Sequence, residues 1–144
     1  MEYKKICLEN EIAALLESFE SCFPHLRAYK TDFSDYAKKL ASYAKIYSFW
    51  SGETMMGMVV FYANDQKNYY GYISLIGLFP EYRGKGHGAA LLRFCEEKMR
   101  QAGEKKLKLE VNDDNVPAQG FYRHMGLKET GRASETSFYM EKDL

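Results

Sequence analysis

The sequence predicts a single α+β domain. Segments with apolar residues at helical spacing alternate with segments rich in β-branched and aromatic residues. Three of the strand-like segments follow one another across short turns, which predicts consecutive antiparallel strands. No linker, repeat or low-complexity run divides the chain, and 144 residues suffice for one core but not two. The whole of residues 1–144 is therefore expected to be one domain.

Residues 3–8 read as a first strand, with Asn10 placed to cap the helix that follows. In that helix Ile12, Leu15, Leu16 and Phe19 recur at helical spacing, and it ends before Pro24. A second helix starts after Asp32, where Phe33, Tyr36, Ala37, Leu40, Tyr43 and Ala44 form an apolar stripe with Lys38, Lys39 and Lys45 outside it. Residues 47–51 and 55–63 make a hairpin about Gly52 and Glu53, and residues 64–68 turn the chain into a strand over 69–79. A helix over 88–101 buries Leu91, Leu92, Cys95 and Met99 and closes at Gly103. A strand at 107–111, a helix opening near Pro117 and a hairpin of 127–130 with 136–142 complete the order β-α-α-β-β-β-α-β-α-β-β.

Composition excludes several classes. Twenty basic and twenty acidic residues cancel, whereas proteins that bind nucleic-acid backbones concentrate positive charge. Cys7, Cys22 and Cys95 form no C-x-x-C pair and stand at no metal-ligand spacing from a histidine, so reduced core thiols are expected and no metal site. His25, His87 and His124 are scattered, and no G-x-S-x-G elbow is present. No run of eighteen apolar residues and no leader pattern occurs, which predicts a soluble cytoplasmic protein without membrane contact.

One segment carries chemistry on its face. Residues 80–88 read P-E-Y-R-G-K-G-H-G and pass directly into a helix. Gly84, Gly86 and Gly88 let backbone N–H groups approach an anion, the helix start adds unpaired donors, and Arg83 and Lys85 add counter-charge. A P-loop is excluded because Gly86 follows Lys85 and Phe79 stands where its first glycine would be. A dinucleotide fingerprint is excluded because its third glycine is Leu91 here.

Downstream, L-K-L-E-V at 107–111 leads to N-V-P-A-Q-G-F-Y-R-H-M-G-L at 115–127. Together the two blocks resemble the Gcn5-related N-acetyltransferases (GNAT). Arg83, Gly86 and Gly88 match the family's Arg/Gln-x-x-Gly-x-Gly/Ala loop, and Asn115, Ala118, Phe121, Tyr122, Gly126 and Leu127 match its second motif in order and separation. The resemblance covers about residues 54–142 and hardly touches the first 50. It implies a three-layer fold: a mixed, mostly antiparallel twisted sheet of about six or seven strands with helices on both faces.

It also implies acetyl-CoA as cosubstrate and a primary amine as acceptor, with direct transfer between them. The pyrophosphate would lie on the amides of Arg83, Gly84, Lys85, Gly86, His87, Gly88 and Ala89, and the pantetheine beside Leu78, where two strands splay. Asn115 matches the residue that holds the pantetheine arm; read alone it is a helix cap. Tyr122 matches the general acid; read alone it is a core aromatic. Glu110 corresponds to a glutamate that some ribosomal-protein acetyltransferases use as base; read alone it is a solvated carboxylate, since Lys108, Glu110 and Asn112 share the face opposite Leu107, Leu109 and Val111.

The histone-type branch has its glutamate where this chain has Tyr72, so Tyr72 or Ser74 would instead lead a water chain from the amine. The acceptor would meet residues 19–36 and 130–138, with Phe23 and Tyr29 as candidate contacts and Tyr36, Tyr47, Trp50 and Tyr62 as further candidate lining. A small molecule and a protein N-terminus both fit as acceptor, and a homodimer is in keeping with the family. An acyl-CoA-binding module without turnover is the competing expectation.

Overall fold

The computed structural model describes residues 1–23 and 33–144. Its elements are β1 (Glu2–Ile6), α1 (Glu9–Ser18), a 3-10 turn (Glu20–Cys22), α2 (Ser34–Tyr43), β2 (Lys45–Ser51), β3 (Thr54–Tyr62) and β4 (Tyr70–Leu78). A second 3-10 turn (Pro80–Tyr82), α3 (His87–Gln101), β5 (Lys106–Asn112), α4 (Val116–His124), β6 (Lys128–Arg132) and β7 (Ser137–Asp143) follow. The order is the one expected from the sequence.

Two local expectations are corrected. Helix α1 begins at Glu9, so Asn10 lies inside its first turn and Leu8 occupies the cap position without a side-chain hydrogen bond. Glu9 and Glu11 supply the negative charge that this helix start favours. Cys7 is exposed and only Cys95 is fully buried, so the thiols are not uniformly core residues.

The seven strands form one sheet in the order β1-β2-β3-β4-β5-β7-β6, with every neighbour antiparallel except the parallel pair β4 and β5. Helix α3 lays Leu91, Leu92, Cys95 and Met99 on one face, against Phe49, Phe61, Ile73, Leu107 and Leu109. Helices α1 and α2 cover the other with Ile12, Leu16, Phe19 and Leu40, against Ile46, Met58, Val60 and Leu75. Strand β3 is consequently apolar on both sides, and full burial of each such side chain favours folding by roughly 1.5–3 kcal/mol.

Strand β4 contains the irregularity that matters most. Val60 pairs with Leu75 and Phe61 with Ile73, so Ser74 is an extra residue, a β-bulge. Before it, Gly71 and Ile73 point toward α3; after it, Leu75 turns toward α1 and α2 while Ile76 and Leu78 take the α3 side. Pairing of β4 with β5 runs from Tyr70↔Lys106 to Ile73↔Leu109 and stops there. Beyond Ser74 and Glu110 the two strands part, while β5 continues its ladder with β7 to Asn112↔Ser137.

A buried ion pair ties the layers together. Glu96 of α3 is 3% exposed and pairs with Lys142 of β7, whose ammonium also donates to the Met125 carbonyl at the end of α4 at 2.8 Å. One lysine thus joins the sheet to both helices of this face.

Candidate active site

After β4 the 3-10 turn Pro80–Tyr82 carries the chain into the glycine loop, with the Arg83 N–H donating to the Pro80 carbonyl at 3.2 Å. Gly84 and Gly86 adopt φ of 75° and 85°, left-handed conformations open to glycine at little cost. Gly86 is the cap residue of α3 and offers no side chain to the helix's first N–H groups. Among the described residues, none of the backbone N–H groups of residues 84–89 finds an acceptor. They lie at and just before the positive end of a 15-residue helix, a setting that favours an anionic oxygen.

The side chains around this cradle are individually placed. Arg83 folds back, its Nε donating to the Leu78 carbonyl at 3.1 Å and securing the loop to the strand end. The Cys22 thiol reaches the same carbonyl at 3.7 Å. Lys85 is exposed; His87 sets its ring edge-on to Phe49 at 6.0 Å, so its side chain serves packing. Gly88 brings α3 close to α4, since a Cβ there would stand 3.4 Å from the Phe121 ring, and Ala89 is half-buried in the first turn.

Asn115 caps α4, its Oδ1 accepting the Ala118 N–H at 3.4 Å, with Pro117 in the first turn. Tyr122 is half-buried against the α3 side of the core, tilted on Phe121 at 5.5 Å. Its hydroxyl makes no hydrogen bond among the described residues, and burial pushes its pKa up to about 12. The phenol is thus kept protonated, as a proton donor needs.

Glu110 lies on the opposite face, at the first β5 position past the last pair with β4. It is exposed, and its Oε2 accepts the Ser137 hydroxyl at 2.7 Å. Tyr72 shares that face; burial first and the Glu110 charge second push its pKa up to about 12. Tyr62, Asp65, Tyr70, Tyr72, Lys108 and Tyr139 help to line an open cavity of about 400 Å³ there. The Asp65 carboxyl is held below its ordinary range chiefly by the Asn68 N–H, and Lys108 sits 4.2 Å from the Tyr139 ring centre.

Of the acceptor contacts expected from sequence, Tyr72 and Ser74 stand at the parting of β4 and β5. Phe23 is buried under α1 and α2, so close to Gly77 that a Cβ there would meet its ring at 2.7 Å. Tyr29 lies outside the described residues. Tyr47 is buried beside Phe94, and Trp50 donates to Ser48 on β2, with β3 between that strand and β4. Tyr70, Lys108 and Tyr139 were not anticipated, because only the β4-β5-β7 order brings them together. Among the described residues no group of His, Cys, Asp and Glu could hold a metal ion, and no helix is long and apolar enough to cross a membrane.

Comparison with known proteins bears on family and fold. A region 39% identical over 59 residues, 41% of this chain and 39% of the relative, occurs in the "Putative ribosomal protein bS18-alanine N-acetyltransferase" of Bacillus subtilis (strain 168). The matched stretches span only 26–39% of the curated relatives' lengths. Among solved structures, nourseothricin acetyltransferase is 27% identical with a TM-score of 0.62, covering 69% of this chain and 65% of its own. The PaiA N-acetyltransferase of Thermoplasma acidophilum, solved with coenzyme A, covers 100% of both chains at 18% identity and a TM-score of 0.72, a likeness of fold. The model of the Acetyltransferase (GNAT) family matches residues 12–127, and the chain belongs to that family.

Proposed function

We propose that this protein transfers the acetyl group of acetyl-CoA directly to a primary amine of a small molecule or a protein N-terminus. The observation that carries the reading is the cradle of unsatisfied N–H groups at residues 84–89, set beside the gap where β4 and β5 part. A pyrophosphate fits the first and an extended pantetheine the second, where it can pair as a strand would. Solved relatives of the same fold hold acetyl-CoA or coenzyme A.

In this scheme Glu110 removes a proton from the acceptor ammonium, and the free amine attacks the thioester carbonyl. As the carbon–sulfur bond breaks, Tyr122 gives its proton to the departing sulfur, and the second proton shed by the new amide nitrogen restores the phenol. The two groups lie on opposite faces of the sheet and meet through the gap. Asn115 is placed near the strand end by its cap and offers its remaining amide group to the pantetheine. The acceptor occupies the tyrosine-lined cavity beside Tyr72. The B. subtilis relative is named for alanine of a ribosomal protein and one solved relative for nourseothricin, so the acceptor screen spans peptides and small amines.

Thermal unfolding with saturating acetyl-CoA is expected to rise by several degrees. Thiol release is then followed over a panel of N-terminal peptides, amino sugars and alkylamines. Stabilisation with turnover of at least one amine supports the reading; stabilisation with none reduces the protein to a CoA-binding module, and no stabilisation overturns both.

A further inference from the structure

A hydroxyl relay, buried at Ser137 alone, ends on the exposed carboxylate of Glu110. Ser137, 1% exposed at the start of β7, donates to Glu110 Oε2 at 2.7 Å, and its Oγ stands 2.6 Å from that of Ser134. A carboxylate only accepts, so the single Ser137 proton is committed to Glu110. Ser134 must therefore be the donor to Ser137. Its own oxygen accepts the Thr136 N–H at 3.1 Å. Each hydroxyl in the series points its proton toward the carboxylate.

The loop that carries Ser134 is itself pinned. Arg132 makes two 2.8 Å bonds to Asp113, and its Nη2 reaches the carbonyls of Ser134 at 3.0 Å and Glu135 at 2.8 Å. Among the described residues the Ser137 hydroxyl is the only hydrogen-bond partner of the Glu110 carboxylate; Tyr72, which feels its charge, and Tyr139, its register partner on β7, make no side-chain hydrogen bond to it. One carboxylate oxygen is thus held, and Oε1 has no donor among the described residues.

We infer that Ser137, backed by Ser134, is a positioning residue for the base: it fixes Glu110 Oε2 so that Oε1 faces the acceptor ammonium. The inference rests on Glu110 being the base. Without the hydroxyl the carboxylate rotates freely, and fewer of its orientations suit proton removal.

A double-mutant cycle with the amine found in the screen tests it. Ser137→Ala is expected to lower kcat about tenfold, the usual scale for one hydrogen bond to a charged group. The KM for acetyl-CoA stays within about two-fold, and Ser137→Thr restores kcat. In the Glu110→Gln background Ser137→Ala is expected to change nothing further, because the group it positions is gone. Ser134→Ala, which leaves Ser137 in place, should lower kcat by a smaller factor, again only when Glu110 is present.

Equal losses in both backgrounds, or an undiminished kcat in Ser137→Ala, overturn the role of Ser137. If Ser137→Ala does not fold, the Ser134→Ala arm decides alone, and equal losses in its two backgrounds overturn the relay. A Glu110→Gln enzyme with full turnover overturns the base, and with it the part of Ser137 in the reaction.

Discussion

The Leu127 N–H donates to the Tyr122 carbonyl at 2.9 Å, and this bond explains the spacing of the second motif. Gly126, at φ 95°, turns the chain so that its own N–H reaches the Arg123 carbonyl at 3.0 Å and that of Leu127 reaches Tyr122. Leu127 is then carried into the core at 1% exposure. The turn that carries the phenol is thus closed from both its main chain and its apolar anchor.

Tyr122→Phe keeps that packing and removes only the hydroxyl. Turnover should fall about 100-fold, at the lower end of what a positioned acid contributes, while the affinity for coenzyme A stays within a few-fold. Single-turnover kinetics with an active amine, beside equilibrium binding of coenzyme A, measures both. Unchanged turnover would remove Tyr122 as the acid.

Two left-handed glycines separate binding from stability. Gly86→Ala and Gly126→Ala each force an alanine to positive φ, at a cost of about 1–2 kcal/mol in urea unfolding. Only Gly86→Ala should also weaken coenzyme A, since Gly86 is in the N–H cradle. Equal affinities in the two variants would contradict the assignment of the cradle.

Lys142→Ala strands the buried Glu96 carboxylate and should cost about 3 kcal/mol, near the lower end for a broken buried pair because Lys142 retains some solvent contact. Adding Glu96→Gln to it should recover part of the loss. A denaturant titration of the single and double variants tests this.

Alkaline pH should destabilise the fold. The Tyr72 and Tyr122 phenols are each raised from 10.0 to about 12 in the folded chain, chiefly by burial. Their unfolded counterparts ionise first. The stabilisation present below pH 10 is therefore lost as pH rises toward 12. Urea midpoints measured from pH 8 to 11.5 should fall over that window, and less steeply in the Tyr72→Phe, Tyr122→Phe double variant.

The element order was legible because each helix or strand keeps its own apolar period, as in Leu107, Leu109 and Val111 against Lys108 and Glu110. The bulge at Ser74 was not legible: its neighbours Ile73, Leu75, Ile76 and Leu78 are all apolar, since β4 meets helices on both faces, so a shift of one residue leaves no mark in the pattern. Ser137 escaped for another reason. It lies 27 residues from Glu110, and only the β5-β7 register makes them neighbours. The helix start at Glu9 was missed because Asn10 is a good cap in principle but lies two residues past the cap position, Leu8.

Where β4 and β5 part, the sheet acquires a pair of edges in its interior rather than at its margin. A marginal edge is open to any strand from another molecule and has to be guarded. This one is flanked on both sides by strands of its own sheet, so a guest has to enter as an extended chain to pair with it. On the proposed reading its recognition is by main chain, which would make it indifferent to the side chains at Ser74 and Ile76 but sensitive to any residue that removes an N–H or restores the missing ladder. A slot of this kind would select its guest by shape and reach, and in the proposed scheme the choice of acceptor falls to the opposite face.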